Sequence, residues 1–169
     1  MRVLDNLVPE KVFYYFEELC NIPHGSTNTK AISDYCVNFA KERGLAYHQD
    51  AENNIIILKN GSKGYEDSKP VIIQGHLDMV CEKVPESNHD FMKDAIRIFV
   101  EGDKIVAKET TLGADNALGL AYSLAILTLK DVPHPPLEVL VTVDEEVGLT
   151  GAEEFDASQL KGKYFINLD

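Results

Sequence analysis

Apolar residues in several segments recur every three or four positions, which is the spacing of one helix face. The first such segment covers residues 9–20. The second begins at a predicted cap at Ser26 or Thr27 and ends near Arg43, just before a glycine. A third predicted helix, residues 116–130, carries few charges, so we expect it to pack against a sheet.

Strand patterns occupy the segments between these helices. Short strands are predicted at 45–49 and 54–59, and a hairpin is predicted around the turn at 101–103. Continuous apolar runs are typical of buried parallel strands, and three occur, at 70–76, 137–143 and 164–168. Helices that alternate with apolar strands predict an α/β architecture.

Composition and charge narrow the classes of function. The chain has 169 residues, is 44% hydrophobic and carries a formal net charge of -12. Nucleic acids and anionic membranes bind clustered Lys and Arg, so the acidity argues against both as partners. We expect a cytoplasmic protein, because the sequence shows neither a secretory signal nor a membrane-spanning pattern. Three scattered cysteines fit reduced thiols in that compartment.

Candidate chemistry follows the predicted strands, at the sheet edge where open α/β folds bind ligands. One histidine and five acids occupy such positions: His76, Asp78, Asp115, Glu145, Glu146 and Asp169. Each has an ordinary explanation when it is taken alone, such as a helix cap or a solvated strand end. Together they suit Zn²⁺ or Mn²⁺, which accept nitrogen and oxygen ligands. The other histidines are interpreted as surface or structural residues.

Four motifs occur at these positions: GHLDMV at 75–80, TTLGADN at 110–116, DEEVG at 144–148 and NLD at 167–169. With NHDF at 88–91 and HPPLEVL at 134–140, they resemble the co-catalytic zinc metallopeptidases of the carboxypeptidase G and aminoacylase type. Within that group the chain is most similar to the aminoacyl-histidine dipeptidases. The resemblance implies a three-layer sandwich with a mixed, mainly parallel central sheet. Residues 1–169 would form the N-terminal part of the catalytic domain, incomplete at its C-terminal edge.

The resemblance also implies a set of metal ligands. Asp115 would bridge two Zn²⁺ ions, for which Mn²⁺ or Co²⁺ are possible substitutes. His76 and Asp169 would complete one metal site, and Glu146 would bind the other ion. The peptide bond between Asp115 and Asn116 would be cis.

The implied activity is metal-dependent hydrolysis of dipeptides, Xaa-His among them, with Glu145 as general base and Asp78 orienting His76. In the family, a further histidine ligand and a lid domain that forms the homodimer interface lie downstream. We therefore expect one part of a longer enzyme, inactive or weak by itself. Alternatives are a tripeptidase or deacylase of the same group, or a non-catalytic metal-binding or interaction module. A two-metal phosphatase is disfavoured, because no basic or Gly-rich element is placed to hold phosphate.

Overall fold

The computed structural model describes residues 2–169. This part of the chain contains four α-helices, which are α1 (Glu10–Cys20), α2 (Lys30–Glu42), α3 (Ala114–Thr128) and α4 (Thr150–Glu154). It also contains seven strands, which are β1 (Ala46–Gln49), β2 (Ile55–Lys59), β3 (Val71–His76), β4 (Ile98–Glu101), β5 (Lys104–Ala107), β6 (Leu137–Thr142) and β7 (Tyr164–Asn167). None of the described helices is both long and apolar enough to cross a bilayer.

Five strands form one sheet in the order β1-β2-β6-β3-β7, and β4 and β5 form a separate hairpin. Strand β3 is parallel to both of its neighbours, β6 and β7. Strand β2 is antiparallel to β1 and to β6. The predicted α/β fold with a mixed sheet is therefore confirmed. The parallel strands β3, β6 and β7 all have their carboxyl ends at the same edge of the sheet.

The two faces of the sheet carry layers of unequal thickness. Helices α1, α2 and α3 contribute to the large core cluster on one face. On the other face Ile56, Ile72 and Leu140 form a smaller cluster, which Phe155 and Leu160 contact. This division follows from the alternation of side chains along each strand. The metal-site candidates thus sit on a sheet whose main support comes from one side.

Helix α2 begins later than the pattern predicted. It starts at Lys30, with Thr29 at the cap position, so the prediction of a cap at Ser26 or Thr27 is wrong. Thr27 has a φ of 68°, in the left-handed region that a right-handed helix excludes. The hydroxyl of Ser26 instead donates a hydrogen bond to Asp78. Ser26 has the local sequence pattern of a helix start, but its side chain contacts a residue that is distant along the chain.

Strand β7 forms where the sequence predicted it, but the prediction that it is buried is wrong. Tyr164, Phe165 and Ile166 are 56%, 57% and 48% exposed. The strand lies at the edge of the sheet and pairs with β3 alone among the described strands. Apolar composition identified a strand but did not distinguish an edge strand from an interior one.

A buried glutamate fixes the segment that leads into β7. Glu138, on β6, is 5% exposed. Its carboxylate accepts hydrogen bonds from the backbone N–H of Lys161 at 3.0 and 3.1 Å and from that of Gly162 at 3.1 Å. A Cβ at Gly162 would lie 2.2 Å from Ile72, so only glycine fits at this approach. These contacts set β7 beside β3.

Candidate metal centre

Three of the predicted metal ligands come together beyond the end of β3. Ligand atoms of His76, Asp115 and Glu146 all lie within 4.8 Å of one another. His76 is the last residue of β3, Asp115 lies in the first turn of α3, and Glu146 follows β6. Asp169 lies outside this group of three, but its Oδ1 is 3.5 Å from His76 Nε2. The carboxyl ends of the parallel strands thus meet at one site.

Carboxylates surround the Nε2 atom of His76. Asp115 Oδ1 lies at 3.1 Å, Asp169 Oδ1 at 3.5 Å and Glu145 Oε2 at 3.9 Å. The imidazole is 1% exposed, whereas the Asp115 side chain is 72% exposed. Within residues 2–169, the lysines and arginines that form ion pairs do so with other acids. Several acids around one nitrogen, with no basic residue paired to them, match the ligands of Zn²⁺ or Mn²⁺.

The electrostatics of the site also favour a cation. Burial alone would lower the pKa of His76, but its hydrogen bond with Asp78 and the charges of neighbouring carboxylates raise that pKa to about 9. Burial raises the pKa of Glu146, and the nearby charge of Asp115 raises it further. The carboxylate charges that contribute to both shifts are ones that a divalent ion would offset.

Asp78 was predicted only to orient His76, but its carboxylate contacts several other residues of the site. Its buried Oδ1 lies 3.4 Å from His76 Nδ1 and accepts the N–H of Glu145 at 3.0 Å. Its Oδ2 accepts the hydroxyl of Ser26 at 2.8 Å and the N–H of Glu146 at 3.2 Å. Burial would raise the pKa of Asp78, but these hydrogen bonds hold it at about 2. One carboxylate therefore contacts the histidine and the backbone of both glutamates.

The peptide bond between Asp115 and Asn116 is cis, as the resemblance implied. The buried Asn116 side chain accepts the N–H of His76 at 3.3 Å and donates to the carbonyl of Leu168 at 3.1 Å. Gly75 makes room for it, because a Cβ there would lie 2.2 Å from Asn116 Oδ1. Asn116 thus joins the end of β3 to the segment that follows β7.

Sequence reasoning missed two residues at the site, Ser26 and Thr27. Ser26 contacts Asp78, and the N–H of Thr27 donates to Asp144 Oδ1 at 2.6 Å. The partners are 52 and 117 residues away along the chain. No local pattern signals such contacts, and the polar Ser-Thr pair before an apolar helix face instead suggested a cap.

The remaining histidines that are buried lie apart from the ligand group. His24 is 2% exposed, and its Nδ1 lies 2.6 Å from the carbonyl of Ile22. His89 is 3% exposed and packs edge-on against Phe91, with ring centroids 4.5 Å apart. Among the described residues, the clustered ligands include a single histidine, His76.

Comparison with known proteins identifies the family. The model of Peptidase family M28 matches residues 53–169. The chain belongs to peptidase family M28. Across all 169 residues it is 41% identical to the cytosol non-specific dipeptidase of Escherichia coli strain K12, of which it covers 35%. The resemblance to metallopeptidases and dipeptidases, which was inferred from the sequence motifs, is therefore confirmed.

Solved structures place this M28 chain in the same group. The crystal structure of aminoacylhistidine dipeptidase from Vibrio alginolyticus superposes with a TM-score of 0.94 and 41% identity, over 97% of this chain and 34% of that one. Aminopeptidase PepT from Bacillus cereus matches with a TM-score of 0.80 and 25% identity, over 95% of this chain and 43% of that one. The M28 chain thus spans about a third of the length of the two dipeptidases.

Proposed function

We propose that this chain carries the metal-binding part of a peptidase that hydrolyses unblocked dipeptides, Xaa-His among them. The observation that carries the proposal is the meeting of His76, Asp115 and Glu146 within 4.8 Å at the ends of parallel strands. The substrate class is supported by 41% identity to two proteins named as dipeptidases. Residues 1–169 would be the N-terminal part of the catalytic domain.

The proposed cofactor is Zn²⁺, two ions per complete site, with Mn²⁺ or Co²⁺ as substitutes. Asp115 would serve both ions, a role supported by the position of its ligand atom within 4.8 Å of those of His76 and Glu146. His76 and Asp169 would hold one ion, and Glu146 would hold the other. Such ions lower the pKa of water and polarise a substrate carbonyl. The mixed nitrogen and oxygen ligands fit this chemistry.

Glu145 is the proposed general base. Its carboxylate lies 3.9 Å from His76 Nε2, beside the clustered ligands but not among them. It would accept a proton from the attacking water and deliver it to the nitrogen of the leaving amine. Asp78 would hold the His76 ring through Nδ1, so that Nε2 keeps facing the carboxylates.

One experiment distinguishes a general-base role of Glu145 from a role in metal binding. Calorimetric titration with Zn²⁺ should show nearly wild-type affinity for Glu145→Gln and at least about a tenfold loss for His76→Ala. Hydrolysis of β-Ala-His and Leu-Gly, wherever the wild type shows it, should disappear in Glu145→Gln. If Glu145→Gln loses metal as His76→Ala does, Glu145 is a ligand and the base assignment is wrong.

We further propose that the 169-residue chain alone binds about one ion tightly and hydrolyses dipeptides weakly or not at all. Its length, about a third of that of the dipeptidases, and its single clustered histidine support this. Two tight ions together with full peptidase activity would contradict it.

The complete protein would be a cytoplasmic homodimer joined through a lid domain. The word cytosol in the name of the Escherichia coli relative supports the location.

Cleavage of tripeptides is the second candidate function. A TM-score of 0.78 and 25% identity with a structure described as a tripeptidase from Staphylococcus aureus favour it. Assays of dipeptides and tripeptides in parallel distinguish the two activities.

A further inference from the structure

We propose that residues 24–27, here called the positioning loop, hold the acidic turn at residues 144–146 in place, with Ser26 as the principal positioning residue. The inference rests on the proposed roles of Glu145 and Glu146. It assigns a function to residues that no sequence motif singled out. The positioning loop lies between α1 and α2, far from the acidic turn along the chain.

Backbone contacts fasten the positioning loop to the residues that follow β3. The N–H of Met79 donates to the carbonyl of His24 at 3.2 Å, and the N–H of Ser26 donates to the carbonyl of Met79 at 3.3 Å. Gly25 and Met79 form an isolated parallel bridge. The loop therefore runs alongside the chain beyond the end of β3, next to Asp78.

The Ser26 hydroxyl restricts the carboxylate that both glutamates use. It donates to Asp78 Oδ2 at 2.8 Å, the same oxygen that accepts the N–H of Glu146 at 3.2 Å. The other oxygen of Asp78 accepts the N–H of Glu145. With both oxygens bonded from defined directions, the Asp78 carboxylate keeps one orientation. The backbone of the two glutamates then keeps one position relative to His76.

A second contact holds the acidic turn from its other end. The N–H of Thr27 donates to Asp144 Oδ1 at 2.6 Å. Thr27 and Asp144 have φ values of 68° and 54°, both in the left-handed region that residues with a Cβ rarely adopt. Such conformations persist only where the surroundings enforce them. Here a single hydrogen bond joins the two residues that adopt this conformation.

The chemistry of these contacts suits a metal site. Adjacent acids that face other acids repel one another, so their positions need support from elsewhere. A lysine or arginine would supply that support but would also neutralise the charge that attracts the ion. Ser26 and Thr27 provide uncharged donors, which orient carboxylates and leave the negative charge for the metal.

The test compares Ser26→Ala with Ser33→Ala, which removes a serine hydroxyl that donates to the carbonyl of Asn53 and accepts from Gln49 Nε2. Ser26→Ala should speed amide exchange at Glu145 and Glu146 at least about fivefold, measured by NMR without metal. It should also weaken Zn²⁺ binding by roughly threefold to tenfold, measured by calorimetry. Ser33→Ala should change neither quantity, even at an equal loss of Tm. Ser26→Thr should restore both.

Each result decides a separate claim. Wild-type exchange rates at Glu145 and Glu146 in Ser26→Ala would overturn the positioning role, and so would unchanged Zn²⁺ affinity beside faster exchange. A wild-type chain that binds no Zn²⁺ would overturn the proposed function, while the exchange rates would still decide the role of Ser26. If Ser26→Ala does not fold, Asp144→Ala replaces it. Exchange at Glu145 should then rise, and an unchanged rate would refute the loop's role.

Discussion

Strands β3 and β7 are parallel neighbours, and each leads to a proposed metal ligand, yet the two ligands are held in different ways. His76, at the end of β3, is 1% exposed, whereas the Asp169 side chain, beyond β7, is 32% exposed. The two residues are only 3.5 Å apart at their nearest charged atoms. Adjacent strands of one sheet therefore lead to one buried and one partly exposed proposed ligand.

The difference comes from what supports each strand. On the β3 side, the buried carboxylate of Asp78 lies 3.4 Å from the histidine and accepts hydrogen bonds from the positioning loop and the acidic turn. On the β7 side, the support is the pairing with β3, the hydrogen bonds from the backbone before β7 to Glu138, and the hydrogen bond from Asn116 to Leu168.

The largest loss of stability is expected when the support on the β3 side is removed. Asp78→Ala leaves the Ser26 hydroxyl and the amides of both glutamates without their acceptor, whereas His76 Nδ1 keeps the backbone carbonyl of residue 78 at 3.1 Å. The variant should lower the free energy of unfolding by roughly 3–5 kcal/mol. Asp169→Ala, on the β7 side, should lower it by less than about 0.5 kcal/mol. Urea denaturation in the presence of a chelator measures both. Equal losses would show that the two ligands are supported alike.

A smaller difference in stability is expected between variants of two isoleucines that lie side by side, in register, on β3 and β7. Ile73 on β3 is 6% exposed, and its partner in register, Ile166 on β7, is 48% exposed. Ile73→Ala should cost about 3 kcal/mol, because it opens a cavity in the core. Ile166→Ala should cost less than about 1 kcal/mol. A large loss of stability in Ile166→Ala would mean that β7 is covered in solution.

The smallest difference in stability is expected from a substitution that displaces Asn116, the residue that joins the two strands. Gly75→Ala would place a Cβ 2.2 Å from Asn116 Oδ1, and the required shift should cost about 2 kcal/mol. Gly102→Ala is the control, because its Cβ meets no atom within 4 Å and only the φ of +64° opposes it, at a cost of about 1 kcal/mol. Thermal unfolding measures the difference. If Gly75→Ala costs no more than the control, Asn116 moves freely and does not couple the strands.

Most of the fold followed from local patterns. The apolar runs ending at His76 and before Asp144 form β3 and β6, because a strand buried on both faces has a continuous apolar sequence. The segment at 164–168 has the same character, yet β7 is exposed. Burial depends on which elements lie over a strand, and composition does not contain that information.

The candidate site was predicted as a set of residues but not as a network. The positions of His76, Asp115 and Glu146 after their strands or at a helix start were enough to expect their convergence, because parallel strands share an edge. The contacts of Ser26 and Thr27 were not predictable in the same way. They depend on a loop that arrives from a different part of the chain, and a polar pair before a helix is usually a cap.

The order of strands in the sheet has a consequence for synthesis on the ribosome. Strand β3 has β6 and β7 on its two sides, and both are encoded later in the chain. About 60 residues separate the end of β3 from the start of β6, so at 5–20 residues per second the strand waits roughly 3–12 s for its first partner. During that interval its apolar side chains and unpaired backbone are open to other chains. Nascent β3 is therefore a segment where we expect chaperones to bind.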